Sequence, residues 1–170
     1  MKEIYFAGGC FWGTERYLGC ISGVTSTQVG YANGNGKPVT YEEVCTGIPG
    51  YAECVHVLYN DSILPLENLL EFYYKSIDPL SYCRQAMDYG IQYRTGIYYV
   101  NSSDYFIIDS SLRNLAKSLH VRKTEIESMP LKNYFPAEPY HQKYLEKNPN
   151  GYCHIPPRIF AEVRAINHGS

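Results

Sequence analysis

Ile4-Tyr5-Phe6-Ala7-Gly8-Gly9-Cys10-Phe11-Trp12-Gly13-Thr14-Glu15 is the stretch on which the fold of this chain turns. Ile4 to Ala7 is a short apolar run and reads as a buried strand. Phe11, Leu18 and Ile21, with Tyr17 beside them, then follow helical spacing. The two glycines fit a tight strand-to-helix turn, so Cys10 falls at the helix start. Free N–H groups and the helix dipole favour an anion there, and a stabilised thiolate is expected. A lowered thiol pKa makes a cysteine nucleophilic at neutral pH. Phe11 and Trp12 offer aromatic surface next to the sulfur. A plain core cysteine in a strand–turn–helix corner fits the same residues.

Working outward, residues 24–31 can hold a second strand, and Asn33-Gly34-Asn35-Gly36-Lys37-Pro38 is a loop. Tyr41 to Cys45 is ambiguous, with at most one helical turn. Residues 51–60 alternate as a strand. Pro65 opens a helix with a stripe of Leu66, Leu69, Leu70, Tyr73 and Ile77, which Asp78-Pro79 ends. Residues 81–95 are polar and read as a long loop; such loops are often functional. Gly96 to Val100 is a strand, and Ser102-Ser103-Asp104 starts a further helix. A last strand is expected over residues 124–128, irregular chain over 131–139 and a short helix over 140–147. Asn148-Pro149-Asn150-Gly151 then delivers Tyr152-Cys153-His154, followed by Pro156-Pro157 and a helical turn or two from Arg158.

This alternation predicts an α+β fold, a two-layer α/β sandwich with a ferredoxin-like core and a coil-rich C-terminal tail. One catalytic domain is expected over residues 1–170, with the tail starting at about residue 148. A small Rossmann-type sheet competes. However, no Gly-x-Gly-x-x-Gly follows the first strand and no Gly-Lys-Ser/Thr loop occurs, so no nucleotide cofactor is expected.

A net charge of −2 without a Lys/Arg run argues against nucleic acid or an anionic membrane as partner. No apolar run approaches the ~20 residues of a membrane span. Met1-Lys2-Glu3 lacks the layout of a signal peptide, so a cytoplasmic location is expected. The 18 tyrosines suit either an α/β core or a ring-lined pocket. Six cysteines contain no Cys-x-x-Cys pair and no zinc-ligand spacing, and a disulfide framework is not expected.

Three readings of the chemistry stay open at this point. A redox thiol pair would use Cys10 as attacking thiolate. Cys153, on a Gly/Pro-rich segment able to carry its sulfur to a distant partner, would resolve it. A Cys-His hydrolase or transferase would need a base from His56, His120, His141, His154 or His168, and nothing singles one out. A binding module would use the aromatic pocket without turnover. Glu53 shares a face with Val55, Val57 and Tyr59, so burial is expected to keep its carboxyl protonated, unless the strand's end frays into water. Glu15 lies on the apolar face of the first helix and is expected to be a partnered, structural carboxylate. Cys20, Cys45, Cys54 and Cys83 read as structural.

Gly9-Cys10-Phe11-Trp12-Gly13-x-Glu15 resembles the active-site segment of the A-type peptide methionine sulfoxide reductases. The likeness continues through Val29-Gly30-Tyr31, Tyr41-x-Glu43-Val44-Cys45-x-Gly47 and Gly50-x-Ala52-Glu53. It goes on in Asp88-x-Gly90-x-Gln92-Tyr93-Arg94, Phe135-Pro136-Ala137-Glu138-x-Tyr140-His141-Gln142 and Asn150-Gly151-Tyr152-Cys153. Tyr51 stands where the family usually has His, and Cys83 where it often has Asn.

The resemblance implies that Cys10 attacks the sulfoxide sulfur of a methionine S-sulfoxide, free or in peptides. Phe11 and Trp12 would line the pocket for the S-methyl group. Glu53 would protonate the sulfoxide oxygen, Tyr41 and Tyr93 would donate hydrogen bonds to it, and Asp88 would orient that network through water. Cys10 would become a sulfenic acid and Cys153 would condense with it to a disulfide. An external thioredoxin-like dithiol would reduce that disulfide. No metal or bound organic cofactor is implied, and a monomer is expected. No cysteine follows Cys153, which favours a single resolving thiol.

Overall fold

A computed structural model describes residues 1–169; Ser170, the last residue of the expected domain, lies outside them. Strand β1 (Lys2–Gly8) is followed by helix α1 (Phe11–Gly19) and strand β2 (Val24–Ala32). Helix α2 (Tyr41–Cys45) precedes β3 (Ala52–Tyr59) and α3 (Leu66–Lys75). A small hairpin, β4 (Arg84–Gln85) and β5 (Asp88–Tyr89), leads through a single 3₁₀ turn (Ile91–Tyr93) into β6 (Thr95–Tyr99). Helix α4 (Asp104–Ser118), β7 (Glu127–Pro130), β8 (Tyr134–Pro136), α5 (Tyr144–Lys147) and α6 (Pro157–His168) complete the chain.

The sheet runs β7-β6-β1-β3-β2-β8. Its inner four strands, β6-β1-β3-β2, are antiparallel throughout, which is the ferredoxin-like split βαβ arrangement. Alternation along each strand divides the sheet's faces. Phe6, Tyr31, Val57 and Ile97 point into one core with Leu18 of α1, Leu69 and Tyr73 of α3, Ile108 of α4 and Val163 of α6. The helices therefore form one layer and the sheet the other. Each fully buried large apolar side chain there contributes about 1.5–3 kcal/mol. Tyr5, Ala7, Cys54 and Tyr98 lie on the opposite face beneath Met129, Leu131 and Tyr134.

Several elements differ from the sequence expectation. Residues 81–95 are not a structureless loop, since they hold the β4–β5 hairpin and the 3₁₀ turn. The last expected strand lies three residues later, as β7, parallel to β6 with Gly96 opposite Glu127. Residues 131–139 contain an edge strand, β8, paired to β2. The tail ends in a twelve-residue helix rather than a turn or two: Pro157 opens α6, where its missing N–H costs nothing, and Ile159, Phe160 and Val163 bury one face.

Candidate active site

Strand β1 delivers the chain to Gly9, whose φ of +85° lies in the left-handed region. A Cβ at Gly9 would come within 2.7 Å of the Cβ of Gln85 and 3.0 Å of Nε2 of His154, so only glycine fits. Cys10 caps α1, and the Thr14 hydroxyl laces the turn by donating to the carbonyls of Gly8 (3.0 Å) and Cys10 (3.2 Å). Cys10 is 8% exposed. Burial pushes its thiol well above the ordinary range and the charge of Glu53 adds to this, while the N–H groups of Trp12 and Gly13 pull the other way. The helix terminus thus acts in the expected direction, but desolvation outweighs it, and the resting sulfur is a thiol.

Glu53 pairs with Tyr31 across β3 and β2, and its side chain enters the helix side of the sheet beside Val55 and Val57. It is 1% exposed and does not fray into water. Oε1 accepts the N–H of Phe11 at 3.1 Å. Oε2 is buried without a partner. Desolvation pushes the carboxyl up to about 8, opposed by the Phe11 N–H and reinforced by Asp88, so it carries a proton at neutral pH. Glu15, by contrast, is partnered: Thr27 and the Lys143 N–H bond its two oxygens and the Lys143 ammonium pairs with it.

Aromatic rings wall the cysteine turn. Phe11 is buried, its ring 5.7 Å from Tyr31 and 5.1 Å from His141. Half-buried Trp12 stacks on Tyr144 at 3.7 Å, and its indole N–H donates to Nδ1 of His141 at 2.9 Å. Tyr41 packs 4.6 Å from the same imidazole. Burial lowers the His141 pKa, and the accepted indole bond places its single proton on Nε2. Glu138 fixes this wall by accepting the Tyr31 hydroxyl (2.8 Å) and the Tyr41 N–H (3.1 Å). His141 was one of five undistinguished histidines in the sequence, and Glu138 carried no signal beyond its motif. The departures from the family pattern fall outside this wall's chemistry. Tyr51 is core, its hydroxyl bonded to the Lys37 carbonyl, and Cys83 accepts a turn bond from Gly90 through its carbonyl.

The hairpin and the tail close the site from the other side. Gln85 clamps the hairpin by bonding the N–H (2.8 Å) and carbonyl (3.0 Å) of Asp78. Asp88, opposite Gln85, accepts the Tyr152 hydroxyl at 2.9 Å. Burial, then the charges of Glu53, Asp88 and Cys10, raise the Tyr93 pKa. Burial and Glu53 do the same to Tyr41, whose hydroxyl also hydrogen-bonds Cys45. Both phenols therefore stay protonated donors around the carboxyl. Cys45, read as structural, is an exposed thiol at this rim.

Cys153 sits against the first turn of α1: a Cβ on Gly13 would lie 3.0 Å from its Sγ. Its thiol donates to the Ile155 carbonyl at 3.6 Å. Burial raises its pKa and Arg16 opposes the rise. All six cysteines are free thiols. Tyr152 and His154, which flank Cys153, both reach the site, and neither has a local sequence signature. Among the described residues no group of three His, Cys, Asp or Glu side chains is gathered as a metal site.

The family model for peptide methionine sulfoxide reductase matches residues 2–168. A peptide methionine sulfoxide reductase from Lachnoclostridium phytofermentans is 56% identical over 154 residues, covering 91% of this chain and 92% of the relative. Mxr1 from Saccharomyces cerevisiae, in reduced form, superposes with a TM-score of 0.82 at 36% identity, covering 89% of this chain and 88% of that one. Methionine sulfoxide reductase A of Corynebacterium diphtheriae does so at 0.81 and 32%, covering 89% and 77%. With sequence and fold matched across the same residues that build the thiol and its protonated carboxyl, the chain belongs to the peptide methionine sulfoxide reductase family.

Proposed function

We propose that this chain reduces the S epimer of methionine sulfoxide, free or in peptides, by thiol chemistry at Cys10. The observation that carries this reading is the buried, protonated carboxyl of Glu53, whose free Oε2 lies by the Cys10 turn with nothing to bond. A sulfoxide oxygen is an acceptor that such an acid can protonate. Protonation makes the sulfur more electrophilic and the oxygen a better leaving group. Tyr41 and Tyr93 donate to the same oxygen. Trp12 offers its accessible face to the S-methyl group, with Phe11 as the floor beneath it.

In the first step the Cys10 sulfur bonds to the sulfoxide sulfur while Glu53 gives its proton to the oxygen. The Cys10 thiol proton returns to the carboxylate. Oxygen passes to Cys10, giving a sulfenic acid and methionine: one thiol is oxidised and one sulfoxide reduced. Cys153 then attacks Cys10, a disulfide forms and water leaves. A thioredoxin-like dithiol reduces that disulfide. The yeast relative Mxr1 supports this choice of reductant, since one of its structures is of a complex with Trx2. Asp88 orients the phenol and carboxyl network through water, and its bond to Tyr152 tethers the segment that carries Cys153.

The test is a single-turnover mixture of reduced protein with an S-sulfoxide peptide. The expected result is stoichiometric methionine and a Cys10–Cys153 disulfide by mass spectrometry. Absence of methionine, or a Cys10→Ser protein that still forms it, overturns the reading.

A further inference from the structure

His154 is a half-buried imidazole that the chemistry above leaves unused. Its Nε2 lies 2.9 Å from the Gly8 carbonyl. A carbonyl only accepts, so Nε2 carries the proton and Nδ1 holds the lone pair. Nδ1 is buried and has no partner. It converges on the same point as the Cys153 sulfur: a Cβ on Gly13 would lie 3.1 Å from Nδ1 and 3.0 Å from Sγ. A neutral base with a fixed tautomer therefore lies over Gly13 together with the resolving thiol, which at rest donates to the Ile155 carbonyl and has to turn toward Nδ1 as it reacts.

We propose that Nδ1 of His154 accepts the proton of the Cys153 thiol as the disulfide with Cys10 forms, making His154 a base for the resolving half of the reaction. The proposal rests on the assignment of Cys153 as resolver. The thiol needs help, because burial holds its pKa above the ordinary value. The imidazole can give it, because burial keeps the ring neutral. In the step, the Cys153 S–H bond breaks toward Nδ1 and its sulfur bonds to the Cys10 sulfur. The S–O bond of the sulfenic acid breaks, and its oxygen leaves as water with a proton from Glu53. The imidazolium then returns its proton to Glu53 through solvent. Cys153 is oxidised and Cys10 is reduced to the disulfide level. Of the groups around His154, the Gly8 carbonyl and Asp88 on the hairpin act on the imidazole itself, while Arg16 acts on the neighbouring Cys153 thiol and Cys10 and Cys153 on the Tyr152 phenol.

The test compares wild type with His154→Gln, which keeps an N–H for the Gly8 carbonyl but has no basic lone pair. Reduced protein is mixed with an S-sulfoxide peptide. Methionine and the Cys10–Cys153 disulfide are followed by rapid quench and thiol alkylation between about pH 6 and 9. In the variant, methionine should appear stoichiometrically while disulfide formation slows by about 10² near neutral pH. That slow rate should climb about tenfold per pH unit as the thiol ionises without help, whereas the wild-type rate stays flat. Added imidazole should restore the rate in His154→Ala. An unchanged disulfide rate and pH profile in His154→Gln, with the bond formed normally in wild type, overturns the role of His154 alone. A wild type that forms methionine but no Cys10–Cys153 bond overturns the assignment of Cys153 and this proposal with it.

Discussion

The backbone N–H of Phe11 donates to Oε1 of Glu53 at 3.1 Å, so the first residue of the nucleophile's helix holds the acid of the central strand. That bond fixes one carboxyl oxygen and leaves the other for substrate. Glu53→Gln preserves the acceptor and the shape but has no proton to transfer. Methionine formation in a single turnover is expected to slow by about 10²–10⁴. In wild type the rate should fall as the pH rises through about 8, where Glu53 ionises, and the variant should lack that descending limb. Rapid-quench rates across the pH range check this. A variant with the wild-type rate would place the acid elsewhere.

The same carboxyl makes stability depend on pH. Its pKa rises from 4.5 in the reference state to about 8 in the fold, so the folded protein binds this proton more tightly than the unfolded chain. The contribution is fully present below the unfolded value and is lost as the pH rises through the folded one. Glu53→Gln carries no charge to desolvate. Its stability relative to wild type should therefore grow across that window and then level off, by at most about 5 kcal/mol. Urea unfolding at a series of pH values measures the difference. A difference independent of pH would mean that Glu53 ionises in the fold as it does in water.

Glu138 carries two bonds to the aromatic wall, from the Tyr31 hydroxyl and the Tyr41 N–H. Glu138→Gln leaves one acceptor for two donors. The loss should cost about 1–3 kcal/mol of stability and loosen Tyr41, a phenol whose pKa the Glu53 carboxyl helps to raise. KM for a sulfoxide peptide should rise and the first-turnover rate should fall together, as binding and orientation share this group. Steady-state and single-turnover kinetics on one preparation separate the two. Unchanged values of both would show that Tyr41 is held by its packing on His141 instead.

Much of this site was legible because its signals are local. Two glycines between an apolar run and a helical stripe placed Cys10, and a period of two placed Glu53 among valines. Asp88 was not legible in that way. Its hairpin turns through Ala86 at φ +52°, where a two-residue turn would normally announce itself with Asn-Gly. Strand β8 hid behind Pro136, which a sheet tolerates only at an edge such as this one. The helix terminus alone predicts a lowered Cys10 thiol pKa, whereas burial by the whole fold and the charge of Glu53, on β3 far away in sequence, push it up. Tyr152 and His154 reach the site by bonds spanning 64 and 146 residues, which no spacing pattern encodes.

Gly13 offers a way to separate the two halves of the reaction. Alanine normally stabilises a helix by about 0.8–1.0 kcal/mol over glycine. Here its Cβ would lie 3.0 Å from the Cys153 sulfur and 3.1 Å from Nδ1 of His154, closer than either packs comfortably. The helix and the Cys10 turn have no reason to move, since the Thr14 hydroxyl and the Phe11 N–H hold them independently. The tail has to give way. Gly13→Ala should therefore release stoichiometric methionine in the first turnover, while the Cys10–Cys153 disulfide forms about 10² more slowly, the penalty of a misplaced reacting atom. The accumulated sulfenic acid is read by trapping with a carbon nucleophile such as a cyclic diketone. A variant that forms the disulfide at the wild-type rate would show that Cys153 does not resolve from this position, and that the tail leaves the first turn of α1 before it reacts.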